Sequence, residues 1–135
     1  MFKLNDRINN DTFEICDLKL CKVLLMNDQN YPWIILVPQI EGLTELHHIP
    51  PERQGDLWAE INLASQMMED LFKPKSINVA ALGNVVTQLH IHVVARYDND
   101  PTWPGPVWGQ APAHPYDDKQ RLDLIKNAFN HLQNT

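Results

Sequence analysis

An α+β domain built on an antiparallel sheet is the fold this sequence predicts, and three observations carry it. Short apolar runs are joined by turn-sized links, one long amphipathic helix intervenes, and a second helical pattern follows near the end. With 135 residues, 44% of them hydrophobic, the chain can build one core and is too short to divide comfortably into two. Residues 1–135 therefore read as a single domain.

The elements follow in order. Glu14, Ile15 and Cys16 suggest a short edge strand. Val23–Met26 and Trp33–Val37 are apolar runs separated by the polar, turn-rich interval from Asn27 to Pro32, so they read as neighbouring strands joined by a loop. Pro38 ends the second, and the segment containing Gly42 and the Pro50-Pro51 pair reads as a connection. From Pro51 to Phe72, Leu57, Trp58, Ile61, Ala64, Met67, Met68 and Leu71 recur at three and four and form one broad stripe. Pro51 and Glu52 suit a helix start and Pro74 a stop.

Ile77–Ala80 predicts a further strand, Gly83 and Asn84 a turn, and Val86–Tyr97 the next strand. Asp98 to Pro115 contains Pro101, Pro104, Pro106, Pro112 and Pro115 and predicts irregular structure. Leu122, Ile125, Ala128, Phe129 and Leu132 then mark a C-terminal helix.

A formal charge of -6 and a pI near 5.4 argue against general attraction to nucleic acid or to anionic membranes. No window approaches the roughly 18 apolar residues a membrane helix needs. The N-terminus shows no sustained apolar signal region either, so a cytoplasmic location is expected. Cys16 and Cys21 lie too close for a disulfide framework and fit core packing in a reducing compartment.

The stretch QLHIH, Gln88 to His92, places two of the six histidines on alternate positions of the predicted strand. Leu89, Ile91, Val93 and Ala95 would line one face, and Gln88, His90, His92, Val94 and Arg96 the other. Three readings follow from the residues themselves. The polar face is a solvated surface of no consequence. Alternatively, the pair divides a phosphoryl transfer, one neutral imidazole attacking phosphorus while its neighbour hydrogen-bonds the phosphate oxygens. Histidine suits this because its ordinary pKa, near 6.5, leaves the nucleophilic form abundant at neutral pH. Gln88 could orient a group but not transfer a proton. In the third reading the pair holds a transition metal with His47, His48 or His114 as a further ligand.

QLHIHVV resembles the signature of the histidine-triad (HIT) family, in which three histidines alternate with apolar residues. The likeness extends through Asn78, Gly83–Val86, Met26-Asn27, Ile34–Pro38, Glu41–Leu46 and the helix that follows, about Cys21 to Tyr97. It implies a five-stranded antiparallel sheet with one long central helix and a C-terminal helix. It also implies a nucleotide hydrolase or nucleotidyl transferase acting on a dinucleoside polyphosphate or a nucleoside phosphoramidate. His90 matches the attacking histidine and His92 the phosphate-binding one. Asn84 matches an amide that contacts phosphate and would position it together with Gln88, and Asn27 and Asn78 match positions near ribose or phosphate. A homodimer with joined sheets and no obligatory metal or other cofactor is further implied.

Two departures stand out: Gln88 replaces the first histidine, and Trp33, after Pro32, stands where many members have a histidine after glycine. Changed control of the inner histidines motivates an alternative, a catalytically weak nucleotide-binding or adaptor protein. Trp58 suits either a dimer interface or the core. Trp103 and Trp108 suit either a base pocket or loop packing. Arg96 could offset phosphate charge, although a salt bridge is the commoner fate of a lone arginine.

Overall fold

The computed structural model describes residues 1–134. A six-residue helix, α1 (Asp6–Asp11), precedes strands β1 (Thr12–Asp17), β2 (Cys21–Met26) and β3 (Trp33–Pro38). Helix α2 (Gln54–Phe72) leads to β4 (Ser76–Ala81) and β5 (Ile91–Arg96), and α3 (Asp118–Gln133) follows. The five strands form one antiparallel sheet in the order β1-β2-β3-β5-β4. This is the predicted α+β architecture, with the long helix between sheet strands and a C-terminal helix.

The long helix begins with a 3-10 turn at Pro51–Arg53, where the missing proline N–H costs nothing. Lys73 ends it in the left-handed conformation at φ 50°, its N–H donating to the Glu69 carbonyl, and Pro74 prevents continuation. Leu57, Ile61, Ala64, Met67 and Met68 face the core, so the methionines pack apolar volume. Trp58 and Leu71, included in the predicted stripe, are exposed at its margins. The C-terminal helix begins with a capping box, in which the Asp117 side chain accepts from the Gln120 N–H and the Gln120 side chain accepts from the Asp117 N–H.

Two differences from the sequence reading matter. Helix α1 is absent from that reading: it is short, Asn5 caps it by accepting from the N–H groups of Arg7 and Ile8, and only Ile8 is buried. β5 starts at Ile91 rather than Val86, leaving residues 82–90 as irregular chain that ends at His90.

Both faces of the central strands are covered. Val23, Leu25, Ile34, Leu36, Ile91 and Val93 pack toward α2 and α3. Leu24, Trp33, Ile35 and Val94 form a second cluster on the opposite face with Ile8 of α1 and Val107. The solvated polar face, one of the three readings of the sequence, is therefore absent from β5, all six of whose residues are buried.

Glu60 on α2 is buried and spans the β1–β2 connection, Oε2 accepting from the Leu20 N–H at 2.8 Å and Oε1 from the Cys21 N–H at 2.7 Å. Glu60→Ala leaves both donors without an acceptor, and a loss of about 3 kcal/mol is expected. A lower urea midpoint at unchanged slope checks it. Cys16 and Cys21 are free and buried.

Candidate active site

Strand alternation sends Ile91, Val93 and Ala95 into the helix-side core, which leaves His92, Val94 and Arg96 on the opposite face. His90, just before the strand, comes to the same place: the two imidazole centroids are 4.9 Å apart, edge to face. Both rings are buried, at 7% and 5% exposure.

Each ring has one nitrogen committed. Nδ1 of His90 lies 2.7 Å from the Gln88 backbone carbonyl, which can only accept, so in the neutral ring Nδ1 carries the proton and Nε2 presents a lone pair. Nδ1 of His92 accepts from the Trp33 indole N–H at 3.0 Å. Neutral His92 therefore has its proton on Nε2. Burial, followed by the neighbouring His90, pushes the His92 pKa down to about 3, so this ring is neutral at physiological pH.

That shift has a stability consequence. Folded His92 takes up its proton only near pH 3, whereas the unfolded residue does so near 6.5. Between these values the unfolded chain binds more protons, so the contribution is complete above 6.5 and is lost as pH falls toward 3. The limiting slope is ~1.4 kcal/mol per pH unit. Urea midpoints measured from pH 4.5 to 7.5 are expected to flatten in His92→Gln, whose amide oxygen can still accept from Trp33.

A cavity of about 500 Å³ opens over the pair. Ile8, Met26, Val86 and Trp108 give it largely apolar walls, and Trp33 and the histidines form its floor. Trp108 packs edge-on against His92 at 5.3 Å and against Trp33 at 6.3 Å. Arg7 brings positive charge, with an Asp11 carboxylate 3.8 Å away.

The other expected site residues divide. Asn84 lies on the cavity beside His90 and His92. Gln88 does not: its Oε1 accepts from the Asn5 N–H at 2.8 Å and its Nε2 donates to the Lys3 carbonyl at 2.8 Å, so the side chain ties down the N-terminal segment. What Gln88 gives His90 directly is its backbone carbonyl. Asn27 accepts from the Tyr116 N–H through its side chain. Asn78 accepts from Arg96. Neither asparagine lines the cavity.

Arg96 is 1% exposed and paired with Asp100 through Nε at 2.8 Å and Nη2 at 3.1 Å. It also donates to Asn78 and the Gly105 carbonyl, while Tyr31 and Trp103 lie under its guanidinium. The arginine thus organises the loop after β5 and is not free to meet a phosphate. Trp103 packs in this loop, whereas Trp108 reaches the cavity. His47, His48 and His114 do not join the histidine pair. Among the described residues, no three His, Cys, Asp or Glu side chains form a group suited to a metal ion.

Sequence reading misses Arg7 and Ile8 as cavity residues, because nothing local ties α1 to a strand more than 80 positions later. Trp33 stands out in the sequence only as a departure. The contact of its indole N–H with a buried imidazole is visible only in the fold.

Fold and site together define a class: an antiparallel α+β domain carrying a pair of oriented imidazoles at a central strand. The HIT domain model matches residues 7–99, and the chain belongs to the HIT family. A histidine triad protein from Marinobacter aquaeolei is 44% identical, with 99% of this chain and 98% of that one covered and a TM-score of 0.96. A histidine triad (HIT) protein from Sinorhizobium meliloti is 39% identical, with 96% of each chain covered and a TM-score of 0.94. One from Bradyrhizobium japonicum is 37% identical over 97% of this chain and 98% of its own, at a TM-score of 0.95. No curated protein matched the chain. The HIT fold is generally associated with nucleotide-handling hydrolase or transferase activity. Among the described residues no helix is long and apolar enough to cross a membrane.

Proposed function

We propose that the protein is a nucleotide hydrolase or nucleotidyl transferase that works through a nucleotidyl-His90 intermediate, on a dinucleoside polyphosphate or a nucleoside phosphoramidate. The observation that carries this reading is the hydrogen bond from His90 Nδ1–H to the Gln88 carbonyl, which leaves the Nε2 lone pair for the cavity. Nε2 attacks the α-phosphorus. The bond to the leaving oxygen or nitrogen breaks, the leaving group departs with that electron pair and takes a proton from solvent water, and the ring, which keeps its Nδ1 proton, becomes a phosphorylated imidazolium. The Gln88 carbonyl, accepting from Nδ1–H, stabilises that positive charge. Water or another acceptor then attacks phosphorus and releases its proton to solvent, and the P–Nε2 bond breaks with its electron pair returning to the ring as the neutral imidazole.

His92 donates through Nε2–H to the phosphoryl oxygens, and Asn84 supplies a further amide contact. The apolar walls from Ile8 to Trp108 suit the flat faces of a nucleobase. In the same reading the protein is a cytoplasmic homodimer. β4 is an edge strand with Val79 exposed, Trp58 is exposed on α2, and both buried thiols are free.

The test is intact-protein mass spectrometry after brief mixing with a diadenosine polyphosphate or an adenosine phosphoramidate and an acid quench. A mass increase of one nucleotidyl group, with product released, supports the covalent route. Saturable nucleotide binding with neither adduct nor product from either substrate would favour a binding protein instead.

A further inference from the structure

We propose that Trp33 is a positioning residue that fixes His92 as a hydrogen-bond donor, so that the histidine pair holds opposite tautomers and cannot exchange roles. This deepens the nucleotidyl-transfer reading and rests on it for its kinetic consequence. The tautomer itself does not depend on that reading.

An indole N–H donates and never accepts, so any imidazole nitrogen bonded to it must present a lone pair. Trp33 Nε1 meets His92 Nδ1 at 3.0 Å, and both residues are buried. The sheet sets this contact. Trp33 pairs with Val94 and Ile35 with His92, so Trp33 and His92 are diagonal neighbours on one face of adjacent antiparallel strands. Trp108 packs against the His92 ring, and the Trp33 ring lies 5.7 Å from it.

A proton on His92 Nδ1 would set N–H against N–H and break the contact, so the bond opposes both the other tautomer and the imidazolium. Burial acts in the same direction. The charged and titratable groups that face His92 are His90 beside it and Arg7 and Asp11 of α1 across the cavity. Among the described residues none of them hydrogen-bonds to its ring. Nε2–H has no protein partner there and is available to a ligand.

His90 is the mirror case. A carbonyl, which only accepts, holds its Nδ1–H, so its lone pair is on Nε2. One partner that only accepts and one that only donates thus give two adjacent imidazoles distinct jobs. A residue at position 33 able both to donate and to accept would not impose that division.

The experiment is long-range ¹H–¹⁵N NMR of the histidine side chains in the wild-type protein without substrate, alongside steady-state kinetics of Trp33→Phe. The expected wild-type pattern is an unprotonated Nδ1 and a protonated Nε2 for His92, unchanged from pH 5 to 8. Trp33→Phe is expected to average the two His92 tautomers and to lower kcat by about 10- to 100-fold while KM stays within about twofold. A wild-type His92 with a protonated Nδ1, or one already averaging, overturns the proposal whether or not the variant folds. So does a folded Trp33→Phe that keeps both the single tautomer and full kcat. Because the tautomer is read without turnover, the role of Trp33 is decided even in a protein that cleaves neither substrate.

Discussion

His90→Ala protein is expected to fold and to lose turnover by a factor on the order of 10⁴ or more, with no nucleotidyl adduct at any quench time. His90 precedes β5, and among the described residues its ring makes one hydrogen bond, to the Gln88 carbonyl. Its removal leaves the sheet ladder intact. Lost chemistry at unchanged near-ultraviolet circular dichroism separates the nucleophile from a packing role. A His92→Gln protein is the informative contrast, since it should still form the adduct, only more slowly. Full turnover by a folded, pure His90→Ala preparation would remove the assignment.

Asp100→Ala is expected to destabilise the protein by about 3–5 kcal/mol, the typical result of leaving a buried charge without its partner. The Arg96 and Asp100 side chains are each 2% exposed. Burial alone would raise the carboxyl pKa, but hydrogen bonds from Arg96 and from the N–H groups of Tyr97 and Thr102 outweigh it and hold Asp100 below its ordinary value. Removing this carboxylate strands the guanidinium and, with it, the backbone donors of Tyr97, Thr102 and Trp103. A thermal midpoint lowered by on the order of 10 °C, read by calorimetry, is the check. Histidine chemistry should survive below that midpoint, because Arg96 lies outside the cavity.

Elements that announce themselves by periodicity are legible in the sequence. The apolar stripe from Leu57 to Met68 and the runs at Val23 and Trp33 each fold as read, because burial rewards one spacing on a helix and another on a strand. The inward set Leu89, Ile91, Val93 and Ala95 is equally readable. What fails depends on partners far away. Val86 to His90 look extended, but without ladder partners they form irregular chain. Gln88 looks like a phosphate ligand, yet its amide meets backbone 83 and 85 positions earlier. The side-chain oxygens of Asn27 and Asn78 accept from Tyr116 and Arg96, distant partners that the sequence does not announce. Helix α1 has a single buried apolar residue, too little for any periodic signal.

The placement of the two histidines on either side of the β5 start bears on how such a site can change over generations. His92 sits within a strand whose register is fixed by β3 on one side and β4 on the other. One residue inserted or deleted before it within that strand would turn its ring into the core and Val93 into the cavity. His90 rides on the nine-residue stretch 82–90, which has no ladder to break. A change of length in the segment that delivers His90 therefore breaks no strand pairing, whereas His92 can be altered without disturbing the sheet only by substitution.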